Sequence, residues 1–338
     1  MSGPYEHLAI KLWETIFDKG VCGIFRPGQM KREGLANAEV ARAQIIMLAQ
    51  AEKEVDDIKN GRLTAKLEHG EVVLKNNIDK YEPIVDLPSM YAAMQDDIVL
   101  NKIHGEINLA KTILKAEQEL LNFKGEAPEE DIELDWINRW RDYAYNVSSD
   151  EVQLLWAKIL AGEIKSPGRF SFRTMEFLKS LTKQEAKEIE VVLPFIFKEG
   201  FIYRGFLGEG VNGNNGRTIH NWLSWDVLSR MQEFGILQNI HEEQATITLL
   251  SEPDTKYFLR SANKAILYEV PEGKQCTLTY ISVTRLGVEL LEIAGGISNG
   301  DYILKVANLI KNSGCAVSVS DYNELSDGRI ECSNIQNI

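Results

Sequence analysis

Residues 135–164, DWINRWRDYAYNVSSDEVQLLWAKILAGEI, contain the strongest local-structure signals in the chain. Trp136, Trp140 and Tyr143 recur at helical spacing, which is typical of a helix that buries one aromatic face. This spacing ends at Asn146, and a new apolar pattern starts directly after it. The stretch therefore predicts two consecutive helices joined by a short turn.

The second of these helices has a clear start signal. Ser148 stands three residues before Glu151, which is the spacing of a capping box. Val147 and Val152 occupy the two positions of a hydrophobic staple around that cap. The apolar residues that follow recur every three or four positions and predict one buried face, made of Val152, Leu155, Trp156, Ile159, Leu160 and Ile164.

A break and two shorter helices come next. Pro167 and Gly168 end the preceding helix. A new helix starts at Ser171, and its spacing predicts three buried side chains, Phe172, Met175 and Leu178. Thr182 and Glu185 then form a second capping box. The helix behind this box is predicted to bury Ile189, Val192 and Leu193.

The run VSSDEVQLLWAKILAGEIKSPGRFSFRTMEFLKSLTKQEA, residues 147–186, resembles a bacterial family known as domain of unknown function 2806. Its hallmark is an LWAxILAGE segment, then Pro-Gly, then Ser-Phe-x-Arg-Thr. Weaker similarity in residues 23–43 and in DWINRW extends the resemblance over about residues 20–200. The family supplies no catalytic residues. The resemblance implies a bacterial or prophage-borne protein of a kind met near mobile elements and phage-defence genes.

Length and composition limit the classes of protein that the chain can represent. A chain of 338 residues is long enough for two or three domains with their own cores. Its hydrophobic content of 44% and charged content of 26% are those of an ordinary globular protein. The formal net charge of −13 argues against a generic polyphosphate binder, because such proteins neutralise phosphates with Lys and Arg.

Cysteine usage and hydropathy bear on the compartment. Cys22, Cys276, Cys315 and Cys332 are scattered and form no C-x-x-C pair, so they predict reduced thiols and no structural zinc site. No apolar run approaches the roughly 20 residues that cross a bilayer. The charged N-terminal segment also differs from a secretory signal. These observations predict a cytoplasmic protein without a transmembrane segment.

The N-terminal third is predicted to be helical. A short helix covers residues 5–19, and an alanine-rich helix covers about residues 29–60. The long helix has an interrupted heptad pattern, which favours a bundle or hairpin helix over a short coiled coil. It is the element through which self-association is expected. A further helix is predicted over about residues 96–123, followed by an acidic linker over 126–135.

The character of the sequence changes beyond Pro194. The glycine-asparagine loop at 208–216 lacks the ending of a phosphate-binding loop. A helix capped by Ser224, several strands, a helix near Thr284 and a helix over 301–312 follow. This order resembles a winged-helix module. The helix after Ser224 exposes a near-neutral set of side chains, which favours protein contact over DNA recognition: Asp226, Ser229, Arg230, Gln232 and Glu233.

The fold class that follows is mainly α with a C-terminal α+β module. We predict an N-terminal helical region over 1–125 and a central helical domain over 126–200. A winged-helix-like α+β domain is expected over 201–315 and a C-terminal tail over 316–338.

A search for catalytic residues finds no recognisable site. The five histidines show no metal-ligand spacing, and no nucleophile elbow occurs. The sequence therefore predicts no catalytic, cofactor-binding or metal-binding residue and no cofactor. The polar cluster that remains surrounds the Pro-Gly break, and we predict that it forms a structural corner and an interaction surface: Trp156, Glu163, Arg169, Ser171 and Arg173. In this corner Glu163 is expected to pair with Arg169 or Arg173.

Three hypotheses for function follow. The first is a non-enzymatic interaction or regulatory protein that binds a protein partner or itself. The second is a hydrolase or nuclease whose active-site residues are dispersed in sequence. The third is a DNA-binding regulator that uses the C-terminal module. A convergent set of carboxylates or histidines would favour the second hypothesis.

Overall fold

A computed structural model describes residues 4–21, 63–68, 71–76, 87–121, 127–205, 219, 222–242, 245–249, 256–324 and 329–338. The chain divides into two compact units, Met1–Pro167 and Gly168–Ile338. Helices dominate the first unit, and the second combines helices with antiparallel sheets, so the predicted fold class is confirmed at this level. The division falls at Pro167, inside the region 126–200 that we predicted as one domain.

The described part of the first unit contains a hairpin and four helices. The helices are α1 (Pro4–Asp18), α2 (Leu87–Leu121), α3 (Leu134–Tyr145) and α4 (Asp150–Lys165), and the hairpin pairs β1 (Leu63–Glu68) with β2 (Glu71–Asn76). The predicted long helix over 29–60 and Cys22 lie outside the described residues. Helix α2 starts well before the predicted position. Pro88 at its second residue is compatible with this start, because the first turn of a helix needs no intrahelical amide donor.

The aromatic side chains of α3 are buried in the core of the first unit, as their spacing predicted. Trp140 is fully buried, and its indole Nε1 donates a hydrogen bond of 2.9 Å to the carbonyl oxygen of Trp156. The ring of Tyr143 packs 5.2 Å from the ring of Trp156. This arrangement fastens α3 to α4. The predicted buried face of α4 is largely confirmed, with Trp156, Ile159, Leu160 and Ile164 buried.

The predicted capping box at Ser148 is wrong. Helix α4 starts at Asp150 with Ser149 as N-cap, and the side chain of this cap accepts no hydrogen bond. The first turn of α4 contacts α2 instead. Lys115 Nζ donates to Asp150 Oδ1 at 2.5 Å and to Gln153 Oε1 at 2.9 Å. The helix therefore begins one residue later than the local signal predicted.

The helices of the second unit begin largely where cap residues predicted. They are α5 (Phe172–Ser180), α6 (Lys183–Val192), α7 (Trp225–Glu233), α8 (Arg285–Ala294) and α9 (Gly300–Asn312). Ser171, Ser224 and Thr284 each accept a hydrogen bond as N-cap. Thr182 and Glu185 form the full capping box, so this second prediction is confirmed. Gly295 ends α8 at φ 64°, a conformation that favours glycine.

Two antiparallel sheets complete the second unit. Their strands are β3 (Phe201–Tyr203), β4 (Leu237–Gln238), β5 (Thr246–Leu249), β6 (Tyr257–Arg260), β7 (Lys264–Glu269), β8 (Cys276–Val283), β9 (Ala316–Glu324) and β10 (Ile330–Asn337). One sheet has the order β3-β8-β4, with β5 also paired to β8, and the other has the order β10-β9-β7-β6. Within the range 316–338 that we predicted as a tail, Ala316–Glu324 and Ile330–Asn337 are two paired strands of a sheet.

Helix α9 covers the second sheet by packing on β9 and β7. Its Tyr302 is fully buried, and the hydroxyl oxygen accepts a hydrogen bond of 2.7 Å from the backbone amide of Tyr203 in β3. Phe195, Phe197 and Trp222 pack their rings within 5.2–5.8 Å of the Tyr302 ring. Tyr302 thus connects α9 to the first strand of the other sheet.

Candidate functional site

The five residues predicted as a corner are divided between the two units. Trp156 and Glu163 lie on α4 in the first unit, and both are buried. Arg169, Ser171 and Arg173 lie in the second unit, where Arg173 is exposed. The predicted interaction corner stays a prediction.

Two of these residues are bound by acidic residues of α8. The backbone amide and the hydroxyl of Ser171 donate to Glu289 Oε2 at 2.9 Å and 3.0 Å. Arg169 Nε donates to Glu292 Oε2 at 2.9 Å. Because Glu289 and Glu292 are three residues apart on one helix face, they hold the segment before α5 at two points.

A chain of alternating charges continues from Glu292, and we call it the charge chain (Arg169, Glu292, Lys198, Glu324, Arg260 and Glu199). Lys198 Nζ lies 3.8 Å from Glu292 Oε1 and 3.1 Å from Glu324 Oε2. Arg260 then joins Glu324 at 3.4 Å and Glu199 at 2.9 Å. These six residues connect α8, the turn before β3, the end of β6 and the end of β9.

The charge chain changes the proton affinity of its members. Burial lowers the pKa of Lys198, but the charges of Tyr322, Glu324 and Glu292 outweigh it, so the pKa is raised overall. Burial raises the pKa of Glu324, but the cations Lys198 and Arg260 outweigh it, so that pKa is lowered overall. Both groups are therefore held in their charged forms at neutral pH.

Tyr322 supports Lys198 from the second sheet. The Lys198 ammonium lies 5.5 Å from the centre of the Tyr322 ring, within the range of a cation–π contact. The Tyr322 hydroxyl donates a hydrogen bond of 2.7 Å to the carbonyl oxygen of Ser261. Burial raises the pKa of this phenol. The geometry fits a rigid structural tie between elements better than an acid–base centre, because the charged groups at its centre are already paired with each other.

A second polar and aromatic surface lies on α7. Trp225 is 43% exposed, and its ring stacks on His241 at 5.3 Å with an interplanar angle of 29°. Asp226 and Glu233 are exposed on the same helix. Arg230 forms an ion pair of 2.8 Å with Glu188 of α6. We call Trp225, Asp226, Glu233 and His241 the α7 surface; it presents an aromatic pair and two acids.

Within the described ranges, no cluster of three or more His, Cys, Asp or Glu side chains is suited to hold a metal ion. Among the helices of the described ranges, none has the length and apolar character needed to cross a membrane. His104 is half-buried on α2, and His7 and His241 are exposed.

Most residues of the charge chain carry no recognisable signal in the sequence. Lys198 and Glu324 are separated by 126 residues, and neither belongs to a motif. Arg169 and Ser171 were found because they flank the Pro-Gly break, although their partners on α8 were not foreseen. Trp225 was also overlooked, and its position directly after the Ser224 cap is the signal that marks it as a first-turn residue.

Comparison with known proteins gives one family match. Residues 99–202 match a family described as "Protein of unknown function (DUF2806)". The resemblance predicted from the central motif is thus confirmed, over a range that contains residues 147–186 but excludes the weaker similarity at 23–43. Neither the curated proteins nor the solved structures contain a match to the chain.

Proposed function

We propose that this chain, which carries the DUF2806 region at residues 99–202, is a non-enzymatic interaction or regulatory protein. In this proposal the second unit contains a winged-helix-like module, and the α7 surface binds a protein partner. The family resemblance adds phage defence or a mobile element as the proposed setting, and we place the protein in the cytoplasm.

The order of helices and strands supports the winged-helix part of the proposal. In a winged helix the first strand and the strand after the recognition helix both pair with the last strand of the wing. Here β3 and β4 flank β8 in the sheet, and α7 directly precedes β4. By this correspondence α7 takes the position of the recognition helix, and β5 with β8 takes the position of the wing.

The exposed side chains of α7 favour a protein partner over DNA. A helix that reads DNA presents basic or amide side chains to the groove and to phosphates. Arg230 is engaged by Glu188, while Asp226 and Glu233 remain exposed and would repel phosphate. Exposed tryptophan is among the side chains most enriched at the energetic centres of protein interfaces. The exposed Trp225–His241 stack beside two acids is the observation on which the proposal rests.

Affinity capture with variants of the full chain tests the proposal. Trp225→Ala removes the indole from the α7 surface, and Leu304→Ala is a matched control that removes an exposed apolar side chain from α9. We expect quantitative mass spectrometry to find a set of bacterial proteins retained by the wild type and by Leu304→Ala but lost from Trp225→Ala. Equal retention by all three proteins would reject the α7 surface as the contact.

Two parallel assays separate the alternatives. Fluorescence anisotropy with double-stranded DNA is expected to show no binding that depends on Trp225. DNA binding that weakens steeply as salt is added, and that Trp225→Ala abolishes, would instead support the DNA-binding regulator. Turnover of phosphodiester, peptide or ester reporters in the presence of divalent metal ions would support the hydrolase.

Self-association through the alanine-rich segment 29–60, which the sequence predicts as a helix, is also proposed. Size-exclusion chromatography with light scattering tests it directly. A dimer or larger species at micromolar concentration supports the proposal, and a strict monomer rejects it.

A further inference from the structure

The Trp225–His241 stack is held in place by the elements on either side of it. Trp225 is the first residue of α7, and Ser224 caps this helix with a hydrogen bond of 3.4 Å. His241 follows Ile240, which is buried and whose amide donates to Gln232 Oε1 of α7 at 3.2 Å. Both rings are therefore attached to ordered backbone, although the indole is 43% exposed. An exposed side chain that is already ordered loses little freedom when a partner binds it.

The surface around this stack is acidic. Residues 222–242 contain three exposed acids: Asp226, Glu233 and Glu242. The same range contains one Lys or Arg residue, Arg230, whose Nε lies 2.8 Å from Glu188 Oε2 of α6. Because a carboxylate of α6 already pairs with this cation, the surface that a partner meets keeps a negative charge.

Asp226 and Glu233 lie on one face of α7. They are two helical turns apart in the sequence, which corresponds to about 10 Å along the helix axis. In an extended peptide, three residues also span about 10 Å. Arg230 lies between the two acids on this helix, so a neutral chain crosses it better than a basic one. Two cations three positions apart in an extended partner therefore match the spacing of the two acids.

Trp225 adds a preference for arginine at one of these positions. The face of an indole attracts a cation, and a planar guanidinium stacks on it. Asp226 directly follows Trp225, so the residue next to the ring supplies a carboxylate. A guanidinium donates two parallel hydrogen bonds to a carboxylate, a geometry that an ammonium does not match. Arginine is therefore favoured over lysine.

We propose that the α7 surface binds an extended basic segment of its protein partner, with Arg-x-x-Arg spacing and neutral residues between the arginines. This inference rests on the proposed function and adds the chemistry of the partner. One guanidinium packs on Trp225 and pairs with Asp226, and the second pairs with Glu233. Glu242, which directly follows His241, adds to the negative potential that attracts the segment.

Other occupants fit this surface less well. Nucleic acids and anionic membranes carry negative charge, which Asp226, Glu233 and Glu242 repel. A second copy of the chain would bring the same three acids against each other across a two-fold axis. The net charge of −13 on each copy adds to that repulsion. A basic segment of another protein is the occupant that these charges match.

Fluorescence anisotropy with the full chain and synthetic peptides tests the proposal. The probe is the labelled peptide Gly-Ser-Arg-Ala-Ala-Arg-Ser-Gly, and its matched control has citrulline, the uncharged counterpart of arginine, at both arginine positions. We expect the arginine peptide to bind about tenfold more tightly than the citrulline peptide. Equal affinities for these two peptides would overturn the proposal.

A third peptide, in which the two arginines are adjacent, tests the spacing. It is expected to bind several-fold less tightly than the probe, because adjacent arginines do not reach both Asp226 and Glu233. Equal affinities of the two arginine peptides would overturn the assigned Arg-x-x-Arg spacing.

Variants of the α7 surface separate its parts. Trp225→Ala, Asp226→Asn and Glu233→Gln should each weaken binding of the arginine peptide. The double variant of Asp226→Asn with Glu233→Gln should abolish the preference for arginine over citrulline. Glu272→Gln, which removes an exposed carboxylate elsewhere in the second unit, should bind as the wild type does. Circular dichroism establishes that each variant is folded, and unchanged binding by the folded double variant would overturn the proposal.

Affinity capture distinguishes a failure of this inference from a failure of the proposed function. We expect the unlabelled arginine peptide to displace the proteins that the wild type retains through Trp225. Retention that depends on Trp225, combined with peptides that show no preference for arginine, would reject only the basic segment as the partner. Retention that does not depend on Trp225 would reject the proposed function itself.

Discussion

Glu289 of α8 accepts two hydrogen bonds from Ser171, one from the backbone amide at 2.9 Å and one from the hydroxyl at 3.0 Å. Ser171 is the N-cap of α5, and its hydroxyl oxygen also accepts a bond from the amide of Thr174. The other carboxylate oxygen of Glu289 pairs with Arg285, one turn earlier on α8. One buried carboxylate thus joins the start of α5 to the first half of α8.

Replacing Glu289 should destabilise the second unit. Glu289→Ala leaves the amide and hydroxyl of Ser171 without this acceptor and Arg285 without its ion pair. We expect a loss of about 2–3 kcal/mol in the free energy of unfolding, as for other buried charge-assisted hydrogen bonds. Urea titration measures the loss, and hydrogen exchange of α5 localises it. The control is Glu272→Ala, which removes an exposed carboxylate; equal effects of both variants would contradict the prediction.

The two helix starts of the central stretch make a matched test of capping. Thr182 both accepts and donates hydrogen bonds in its capping box, whereas the Ser149 side chain accepts none. We expect Thr182→Ala to cost about 1 kcal/mol of stability. Ser148→Ala and Ser149→Ala should each lower the free energy of unfolding by only a few tenths of the loss expected for Thr182→Ala, because no cap hydrogen bond is lost. Urea unfolding measures the stability of the three variants. A loss for Ser148→Ala as large as that for Thr182→Ala would support the capping box predicted at Ser148.

The same box predicts a pH effect at Glu185. Hydrogen bonds from the backbone amide of Thr182, and then from its hydroxyl, lower the pKa of Glu185. A carboxylate with a lowered pKa in the folded state stabilises the protein above its unfolded pKa and loses that contribution as the pH falls through the folded value. In Thr182→Ala the amide remains, so we expect the pKa to rise part of the way to 4.5, its ordinary value. NMR titration of the Glu185 carboxyl measures it, and Ser224→Ala is the control.

Gly105 on α2 is required by the ring of Tyr145. An added Cβ would lie 2.0 Å from Tyr145 Cζ, and the Tyr145 hydroxyl donates to the carbonyl oxygen of Lys102 at 3.2 Å. Alanine improves helix propensity by about 1 kcal/mol, but the ring must move and its hydrogen bond is lost. We therefore expect Gly105→Ala to be destabilising by a net of about 1–3 kcal/mol.

The control for this substitution is Gly300→Ala at the start of α9, where an added Cβ meets no atom within 4 Å. Thermal melting of both variants is the measurement, and Gly300→Ala should melt close to the wild type. The double variant Gly105→Ala with Tyr145→Ala should lose less stability than the sum of the single variants, since no ring remains to clash. A strictly additive double variant would show that Gly105 matters for another reason.

The helices could be predicted because their signals lie within a few residues. Trp136, Trp140 and Tyr143 are neighbours on one helix face, and all three are buried, as their spacing predicted. The Thr182–Glu185 box needs only two residues three positions apart. The Ser148 box did not form: α4 begins one residue later, and its first residue, Asp150, accepts a hydrogen bond from Lys115, which is 35 residues away in sequence. Local patterns therefore predicted most of the helices, whereas boundaries such as the starts of α2 and α4 were predicted less well.

The candidate sites were mostly beyond prediction for the same reason. The charge chain joins Lys198 to Glu324 across 126 residues, and charged residues spaced so widely carry no periodic signal. Only the fold supplies these partners. The residues beside the Pro-Gly break were predicted because the break itself is a local feature.

Lys198 should control the acid stability of the second unit. Its ammonium lies between the carboxylates of Glu292 and Glu324, and it contributes to the lowered pKa of Glu324. In Lys198→Met, Glu324 keeps only the charges of Arg260 and Arg169 among the cations that lower its pKa, so we expect that pKa to rise toward 4.5. At neutral pH the variant should also lose about 1–3 kcal/mol, because a mostly buried ion-pair network is broken.

The pKa shifts of Glu324 and Lys198 determine how the stability of the second unit changes with pH. Glu324 stabilises the wild type above pH 4.5 and loses that contribution as the pH falls through its lowered folded pKa. Raising this pKa moves the loss of stability to higher pH. Lys198, whose pKa is raised above 10.5, stabilises the wild type fully below that value and loses its contribution as the pH rises further.

Urea unfolding between pH 3 and pH 7, with NMR titration of the Glu324 carboxyl, measures both effects of Lys198→Met. The control is Lys187→Met, which removes an exposed ammonium from α6 and should leave the decrease in unfolding free energy at low pH unchanged. The prediction requires this decrease to begin at a higher pH in Lys198→Met than in Lys187→Met. Superimposable curves would show that Arg260 and Arg169 keep Glu324 ionised without Lys198, and they would contradict the prediction.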